Sequence, residues 1–108
     1  MSEQKKTRRQ MLEEFVARRP DHVFSRYGLA IECMNAGDSK AADAHFRELL
    51  QHDSTYVPAY LMYAQLLARE SRTAEARAVL NQGISAAAQV NNSHALSEMQ
   101  SLLATLPQ

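Results

Sequence analysis

Residues 29–46 read LAIECMNAGDSKAADAHF, and the stretch 34 residues further along, residues 63–80, reads YAQLLARESRTAEARAVL. Small residues recur at matching places in the two stretches, and so do larger apolar ones: Ala30 with Ala64, Cys33 with Leu67, Ala42 with Ala76, and Phe46 with Leu80. A small residue marks a place where two helices approach closely, and a large apolar residue fills the gap beside it. The pattern is therefore typical of a repeated helical unit that stacks on its neighbours.

Two apolar columns carry this repeat along the chain. Leu12, Phe46 and Leu80 are spaced by 34 residues, as are Val16, Leu50 and Ile84. The composition also favours helix, because only three Gly and three Pro interrupt a chain of 108 residues in which 45% are apolar. A chain of this length is one domain with a core of its own. We therefore predict an all-α domain.

Apolar periodicity and helix-breaking residues predict six helices. Pro20 ends the first helix and Gly37 supplies the left-handed residue that commonly ends a helix. Further breaks are predicted where polar residues cap helices or interrupt them: Asp38 or Ser39, Ser71 or Thr73, and Asn91 with Asn92. The predicted helices span approximately residues 3–18, 22–36, 38–52, 56–69, 74–90 and 93–105. The connections are short, so consecutive helices should be antiparallel neighbours.

The 34-residue unit resembles the tetratricopeptide repeat, whose pattern is an aromatic residue, Leu-Gly and Tyr, then Ala, an aromatic residue and Pro. The matching positions are Leu29, Ala30, Cys33, Gly37, Asp38, Ala42 and Phe46 in the first unit, and Tyr60, Tyr63, Ala64, Leu67, Ala76 and Leu80 in the second. The resemblance implies antiparallel helical hairpins stacked as a short right-handed superhelix of about six helices. It also implies one domain, residues 1–108, with a half-repeat helix (1–20), repeat 1 (22–54), repeat 2 (56–90) and a C-terminal capping helix (93–106).

The chain departs from the repeat pattern at several positions. Arg26 stands where the first aromatic residue belongs, and Arg8 stands where the N-terminal half-repeat should have Ala. Ser54 and Ala88 replace the closing Pro, which only Pro20 retains. The last helix fits the pattern, through Leu96, Met99, Gln100 and Leu103, when the register slips by two residues after the long fifth helix. The resemblance is therefore strong over residues 22–88 and weaker outside them.

In function, the resemblance implies an adaptor that holds a partner peptide or helix in a concave groove and has no catalytic residues. The ligand-contacting positions of the family correspond here to Phe24, Tyr27, Ile31, Met34, Asn35, Leu61, Gln65 and Arg69. Family members that grip a carboxylate-terminated chaperone tail use Lys and Asn, whereas this groove presents Tyr27, Ile31, Leu61 and Met62. These apolar residues suit an amphipathic helix, or a second copy of the chain, better than a charged tail.

Three other interpretations compete with the groove. In the first, the basic first helix covers Phe24, Tyr27 and Ile31 within the same chain. In the second, the protein is a self-associating structural homo-oligomer. In the third, Lys5, Lys6, Arg8 and Arg9 contact the phosphates of a nucleic acid, whose binding would weaken steeply with salt.

The titratable residues suggest neither a metal site nor a catalytic one. His45, Glu48 and His52 lie on one helix, but no matching set of ligands stands on a facing helix. Cys33 occupies a core position equivalent to Leu67, where a buried thiol usually serves packing rather than nucleophilic catalysis. We therefore expect no metal, no cofactor and no enzymatic activity.

Charge and cysteine content bear on the environment of the protein. Twelve basic residues balance twelve acidic ones, so no overall field attracts nucleic acid or an acidic membrane. A single cysteine excludes an internal disulfide and fits a reducing compartment. The N-terminal residues are polar where a secretory signal is apolar, and no apolar run reaches the length of a membrane span. We therefore predict a cytoplasmic protein that does not enter the membrane.

Overall fold

The computed structural model describes residues 5–108, in which all regular secondary structure is α-helical. The helices are α1 (Arg8–Arg18), α2 (Val23–Asn35), α3 (Ser39–His52), α4 (Val57–Arg69), α5 (Thr73–Gln89) and α6 (Ser93–Thr105). The predicted all-α class is confirmed, and five of the six helices begin and end within about one residue of their predicted limits.

The first helix is the exception, because the sequence predicted a start near Glu3, which lies outside the described residues. Within them, Lys5, Lys6 and Thr7 precede the helix. The Thr7 side chain accepts a hydrogen bond from the backbone N–H of Gln10 at 3.1 Å, and the Gln10 side chain accepts one from the Thr7 N–H at 2.9 Å. This reciprocal cap satisfies two N–H groups and fixes the start of α1 at Arg8.

The helices belong to two compact units, one ending at His52 and the other spanning Asp53–Gln108, called unit 1 and unit 2 below. In unit 1, α2 packs against both α1 and α3. In unit 2, α5 packs against both α4 and α6, and α4 also contacts α6.

The residues that recur at 34-residue intervals supply the core of each unit. In unit 1 the buried side chains include Leu29, Ala30, Cys33, Ala42 and Phe46. Their counterparts in unit 2 are buried as well: Tyr63, Ala64, Leu67, Ala76 and Leu80. The small residues lie at the contact between the two helices of each hairpin, where ridges of one helix fit the grooves of the other. The repeat therefore marks equivalent packing positions.

Three helix ends share one turn geometry. Gly37, Ser71 and Asn91 have positive φ angles of 79°, 61° and 58°. In each turn the next residue donates its N–H to a carbonyl five residues back: Asp38 to Cys33, Arg72 to Leu67, and Asn92 to Ala87, at 2.8–2.9 Å. This pairing satisfies carbonyls at the end of the helix and turns the chain sharply into the next one.

The N-termini that follow these turns are capped in different ways. The Asp38 carboxylate accepts a hydrogen bond from the N–H of Ala41 at 3.2 Å, and Asn92 accepts one from Ala95 at 3.1 Å. The prediction that Ser71 or Thr73 caps α5 is wrong. Ser71 adopts the left-handed conformation that the turn requires, so Arg72 takes the cap position and makes no side-chain cap bond.

Arg26, which replaces the expected aromatic residue, performs the same task as its counterpart Tyr60. The Tyr60 hydroxyl donates to the carbonyl oxygen of Ser54 at 2.7 Å. Arg26 donates from Nη2 to the carbonyl oxygen of Pro20 at 3.1 Å. In both units the side chain hydrogen-bonds a backbone carbonyl in the turn six residues earlier. Arg26 therefore preserves the hydrogen bond between the helix and the turn that precedes it.

Candidate functional site

The groove residues predicted in unit 1 lie on α2, and they differ in exposure. Phe24 is 70% exposed, the most exposed large apolar side chain of the described chain. Tyr27 and Ile31 are half-buried, Asn35 is exposed, and Met34 is buried. Burial of Tyr27 raises the pKa of its phenol. Phe24, Tyr27 and Ile31 therefore offer apolar surface, whereas Met34 belongs to the core.

Phe24, Tyr27 and Ile31 surround an open cavity between α1 and α2. The cavity has a volume of about 260 Å³ and is lined by Arg8, Leu12, Phe24, Ser25, Tyr27, Gly28, Ile31 and Glu32. We call it the α1–α2 cleft. Leu12 enters from α1 and meets Gly28, whose missing Cβ leaves room beside the Leu12 methyl groups. α1 thus lies beside the apolar face of α2 and leaves Phe24 open to solvent.

An ion pair borders the α1–α2 cleft. The Nε atom of Arg8 lies 2.8 Å from a carboxylate oxygen of Glu32, with 68% of the Arg8 side chain exposed. An exposed pair of this kind contributes little to the free energy of folding. It does place a guanidinium group at the edge of an apolar hollow, where a bound segment would meet it.

The sequence did not predict that Leu12, Gly28, Arg8 and Glu32 line one cleft. It placed Leu12 in a packing column and Arg8 among the basic residues of a possible phosphate contact. The signal that could have found the cleft is Gly28, because a glycine in the middle of a helix costs up to about 1 kcal/mol relative to Ala and calls for a reason.

The groove residues predicted in unit 2 lie on α4 at intervals of four residues, which places them on one face of the helix. Leu61 is half-buried, and Gln65 and Arg69 are exposed. Other positions of α4 carry Tyr60, Tyr63, Ala64 and Leu67 into the core of unit 2. Leu61, Gln65 and Arg69 thus form an accessible face that becomes more polar toward the C-terminus of α4.

The basic residues at the start of the chain are largely paired with carboxylates. Lys6 lies 2.7 Å from Glu14, and Arg9 donates to Asp38 at 2.8 Å. The Arg9 bond holds the pKa of the Asp38 carboxyl below its ordinary value. Together with the Arg8–Glu32 pair, these contacts engage three of the four basic residues considered for phosphate binding.

The residues considered for metal binding and catalysis are paired with other side chains or buried in the core. The Arg26 guanidinium donates to Nδ1 of His45 at 3.2 Å, while His52 lies 3.3 Å from Glu48. Among residues 5–108, no three His, Cys, Asp or Glu side chains come together in a group able to hold a metal ion. Cys33 is completely buried, and burial raises the pKa of its thiol. A protonated, enclosed thiol is a poor nucleophile.

One further structural result concerns membranes. No helix within residues 5–108 combines the length and the apolar character needed to cross a bilayer.

The repeated helical unit matches a known family of sequences. The family profile described as tetratricopeptide repeat matches residues 34–106. A comparison with curated proteins gave no match.

Solved structures agree with this assignment. A tetratricopeptide repeat domain protein from Salinibacter ruber is 34% identical, with a TM-score of 0.74 over 78% of this chain and 85% of that one. A Bordetella parapertussis protein is 25% identical, with a TM-score of 0.78 over 92% and 86% of the two chains. The TPR2B domain of yeast Sti1, solved in complex with pHsp70, is 21% identical, with a TM-score of 0.82 over 88% and 76%. At that identity the yeast domain shows a shared fold alone.

Proposed function

Because this chain belongs to the tetratricopeptide repeat family, we propose that it is an adaptor that binds a helix or peptide of another protein, and that each unit offers a surface for it, the exposed face of α2 in unit 1 and that of α4 in unit 2. The fold supports a role in protein–protein interaction, since the arrays of this family present extended binding surfaces built from stacked helices. The binding residues of the proposal are Phe24, Tyr27, Ile31 and Asn35 on α2, and Leu61, Gln65 and Arg69 on α4. Met34, which the resemblance also places on the α2 face, is buried.

The observation that carries the proposal is the exposure of Phe24 beside the α1–α2 cleft. A phenyl ring that is 70% exposed loses the hydrophobic stabilisation that burial would provide. An exposed apolar patch bordered by polar groups commonly marks a protein interface. In unit 2, the polar C-terminal part of the α4 face, Gln65 and Arg69, offers hydrogen-bonding groups of the kind found at the rim of an interface.

The proposed role requires no catalytic group, and we infer that the protein is not an enzyme. We also propose that the two units act as one domain, residues 1–108, made of a half-repeat, two repeats and a capping helix. The buried thiol of Cys33 is compatible with the reducing cytoplasm that we propose as its location.

The test is a paired substitution in the apolar face. We expect Tyr27→Ala with Ile31→Ala to abolish capture of partner proteins from a lysate of the source organism, while circular dichroism shows that the helices persist. The matched control is Gln51→Ala with Gln82→Ala, which changes two exposed residues on α3 and α5. Unchanged capture by the Tyr27/Ile31 variant would exclude the α2 face as the binding surface.

Self-association is the second candidate, favoured by the same exposed Phe24 and by Met11, which is 52% exposed on α1. Sedimentation over a range of protein concentrations tests it. A mass that rises with concentration in the wild-type protein and stays monomeric in the Tyr27/Ile31 variant would assign the α2 face to a second copy of this chain.

A further inference from the structure

The two units allow an internal comparison of the surroundings of the α1–α2 cleft. In unit 2, α4 packs against both α5 and α6. In the 34-residue register α1 is a counterpart of α5, because Leu12 and Val16 share columns with Leu80 and Ile84. α2 follows α1 as α6 follows α5. Within residues 5–52, no helix occupies the position that α4 takes in unit 2.

Burial reflects this difference. Leu80 is completely buried between the helices of unit 2, and so is Phe46, which shares its column in unit 1 and lies on α3 against α2. Leu12, the third member of the column, is only half-buried and lines the cavity of about 260 Å³. None of residues 5–52 therefore fills the position that a covering helix would take beside α1 and α2.

The two glycines that lie inside helices, Gly83 and Gly28, also differ in how closely neighbouring side chains approach them. At Gly83 an added Cβ would lie 2.5 Å from Tyr60 Cβ and 2.5 Å from Met99 Sδ, so the contact of α5 with α4 and α6 requires glycine there. At Gly28 an added Cβ would lie 3.7 Å from the Leu12 methyl groups, an ordinary van der Waals distance. The packing of unit 1 does not require Gly28, yet its missing side chain keeps the α1–α2 cleft open.

Arg8 is the charged side chain that a helix bound in this position would meet. The two residues that share its column, Ala42 and Ala76, are completely buried at the contact of their hairpins. A helix lying in the α1–α2 cleft would meet at this position a guanidinium that is paired with Glu32 through Nε and is otherwise 68% exposed, instead of a methyl group. A carboxylate on that helix would form a charge-assisted hydrogen bond with it. The chain's own α6 offers the neutral Gln100 at the corresponding place, so a second copy fits less well.

We propose that the α1–α2 cleft binds one amphipathic helix of a partner protein, placed against α1 and α2 as α4 is placed against α5 and α6. One large apolar side chain of that helix lies over Gly28, and a carboxylate of that helix faces Arg8. The inference rests on the proposed adaptor function and specifies the chemistry of its partner.

The chain itself supplies a suitable probe. A fluorescein-labelled synthetic peptide of residues 55–72, with blocked ends, contains α4 together with its large side chains Tyr60 and Tyr63. A second peptide carries Ala64→Glu, which adds a carboxylate at the position expected to meet Arg8. Fluorescence anisotropy measures the binding of each peptide to the full-length protein at low salt. We expect the Ala64→Glu peptide to bind roughly tenfold more tightly, as a charge-assisted hydrogen bond allows.

Two protein variants locate the site. Arg8→Ala should abolish the preference between the two peptides, measured as the ratio of their two affinities for this variant. Gly28→Leu fills the α1–α2 cleft and should weaken the binding of both peptides by more than roughly tenfold, the effect of losing one buried apolar contact of about 1.4 kcal/mol. The melting temperature of each variant checks that the fold is intact.

Several results would overturn this proposal. They are no measurable binding of the Ala64→Glu peptide, equal affinity of the wild-type protein for the two peptides, or unchanged affinity in Gly28→Leu. Concentration-dependent self-association that Gly28→Leu abolishes would give the α1–α2 cleft to a second copy and would also overturn it. The adaptor function is tested separately. If partner capture is lost in the Tyr27/Ile31 variant but retained in Gly28→Leu, the adaptor function stands and only helix binding in the α1–α2 cleft is rejected.

Discussion

The α2–α3 hairpin of unit 1 and the α4–α5 hairpin of unit 2 share one apolar frame and differ at one edge. Where unit 2 has Tyr60 and Val79, unit 1 has Arg26 and His45, joined by a hydrogen bond of 3.2 Å. The buried columns are apolar in both units. The comparison shows that close packing fixes the centre of the hairpin, while its edge accepts a polar pair joined by a hydrogen bond, even though the Arg26 Nε atom is buried without a partner among the described residues.

A second difference lies beside α1. Leu12 is half-buried and Gly28 borders a cavity, whereas Leu80 and Gly83 are enclosed by neighbouring helices. At the position of Leu12, unit 1 thus exposes part of a side chain whose counterpart in the repeat, Leu80, is buried in unit 2. Surfaces where a repeat lacks its usual neighbour are natural places for a partner to bind, because their residues are already suited to helix packing.

The largest effect is expected in the apolar column of Leu12, Phe46 and Leu80. Phe46→Ala should lower the free energy of unfolding by about 3–5 kcal/mol and Leu80→Ala by about 2–5 kcal/mol, because each leaves a cavity in a fully buried place. Leu12→Ala should cost clearly less, since its side chain is only half-buried. Urea unfolding of the three variants measures the difference. A Leu12→Ala cost equal to that of Leu80→Ala would show that a neighbour already covers α1.

The two helix-interior glycines should respond to alanine with opposite signs. Gly83→Ala forces a methyl group against Tyr60 and Met99 and should destabilise the protein by roughly 1–3 kcal/mol. Gly28→Ala meets no such obstacle and should stabilise it by up to about 1 kcal/mol through helix propensity. Thermal unfolding of the pair is the measurement. Destabilisation by Gly28→Ala would mean that the backbone at Gly28 is closely packed after all.

The left-handed turn residues Gly37 and Ser71 occupy equivalent places and should behave reciprocally. Gly37→Ala puts a Cβ into a conformation with φ of 79° and should cost about 1–2 kcal/mol. Ser71→Gly relieves the same strain, but glycine gains entropy in the unfolded chain, so the net stabilisation should stay below about 1 kcal/mol. Denaturant midpoints compare the two. A loss of stability in Ser71→Gly would indicate that the Ser71 side chain supports the turn.

These positions also show what the sequence could reveal about the fold. The columns that contain Phe46, Leu80, Ala42 and Ala76 predicted the helices and the core, because burial selects residues by size and polarity. The cap of α5 was predicted wrongly, because a serine at Ser71 gives no sign that its backbone has a positive φ. The family resemblance also placed Met34 on the groove face, although its side chain is buried.

The candidate site was less predictable than the core. The resemblance located Phe24, Tyr27 and Ile31, and the structure places them around one cavity. The Arg8–Glu32 pair depends on how α1 lies against α2, a tertiary contact between residues 24 positions apart that helical periodicity does not encode. The same applies to the role of Arg26 as a substitute for Tyr60, which becomes visible only through its bond to Pro20.

The smallest effect expected is a pH dependence confined to unit 1. Because the Arg26 guanidinium can only donate, Nδ1 of His45 must accept, which requires a neutral imidazole. Burial lowers the pKa of His45 most, followed by the positive charge of Arg26, and Arg9 lowers it as well. The negative charges of Glu13 and Asp38 raise this pKa, but by less. The folded protein therefore binds fewer protons at this residue than the unfolded chain, whose histidine has a pKa of about 6.5.

This contribution to the free energy of unfolding is present above about pH 6.5 and is lost as the pH falls toward the folded-state pKa of His45. We expect His45→Asn, whose amide oxygen still accepts from Arg26, to show a smaller loss of stability between pH 7.5 and 5.5. Arg26→Tyr with His45→Val, which installs the pair of unit 2, should show the same reduced slope. It should be at least as stable at pH 7.5, because Tyr60 and Val79 pack at this place in unit 2 and replacing a half-buried polar pair by less polar side chains removes its cost of desolvation. Urea unfolding at the two pH values measures the free energy of unfolding of the wild type and of both variants. Apart from positions 26 and 45, the three proteins have the same titrating groups. Equal slopes in the wild type and in both variants would exclude His45 as the source of the pH dependence.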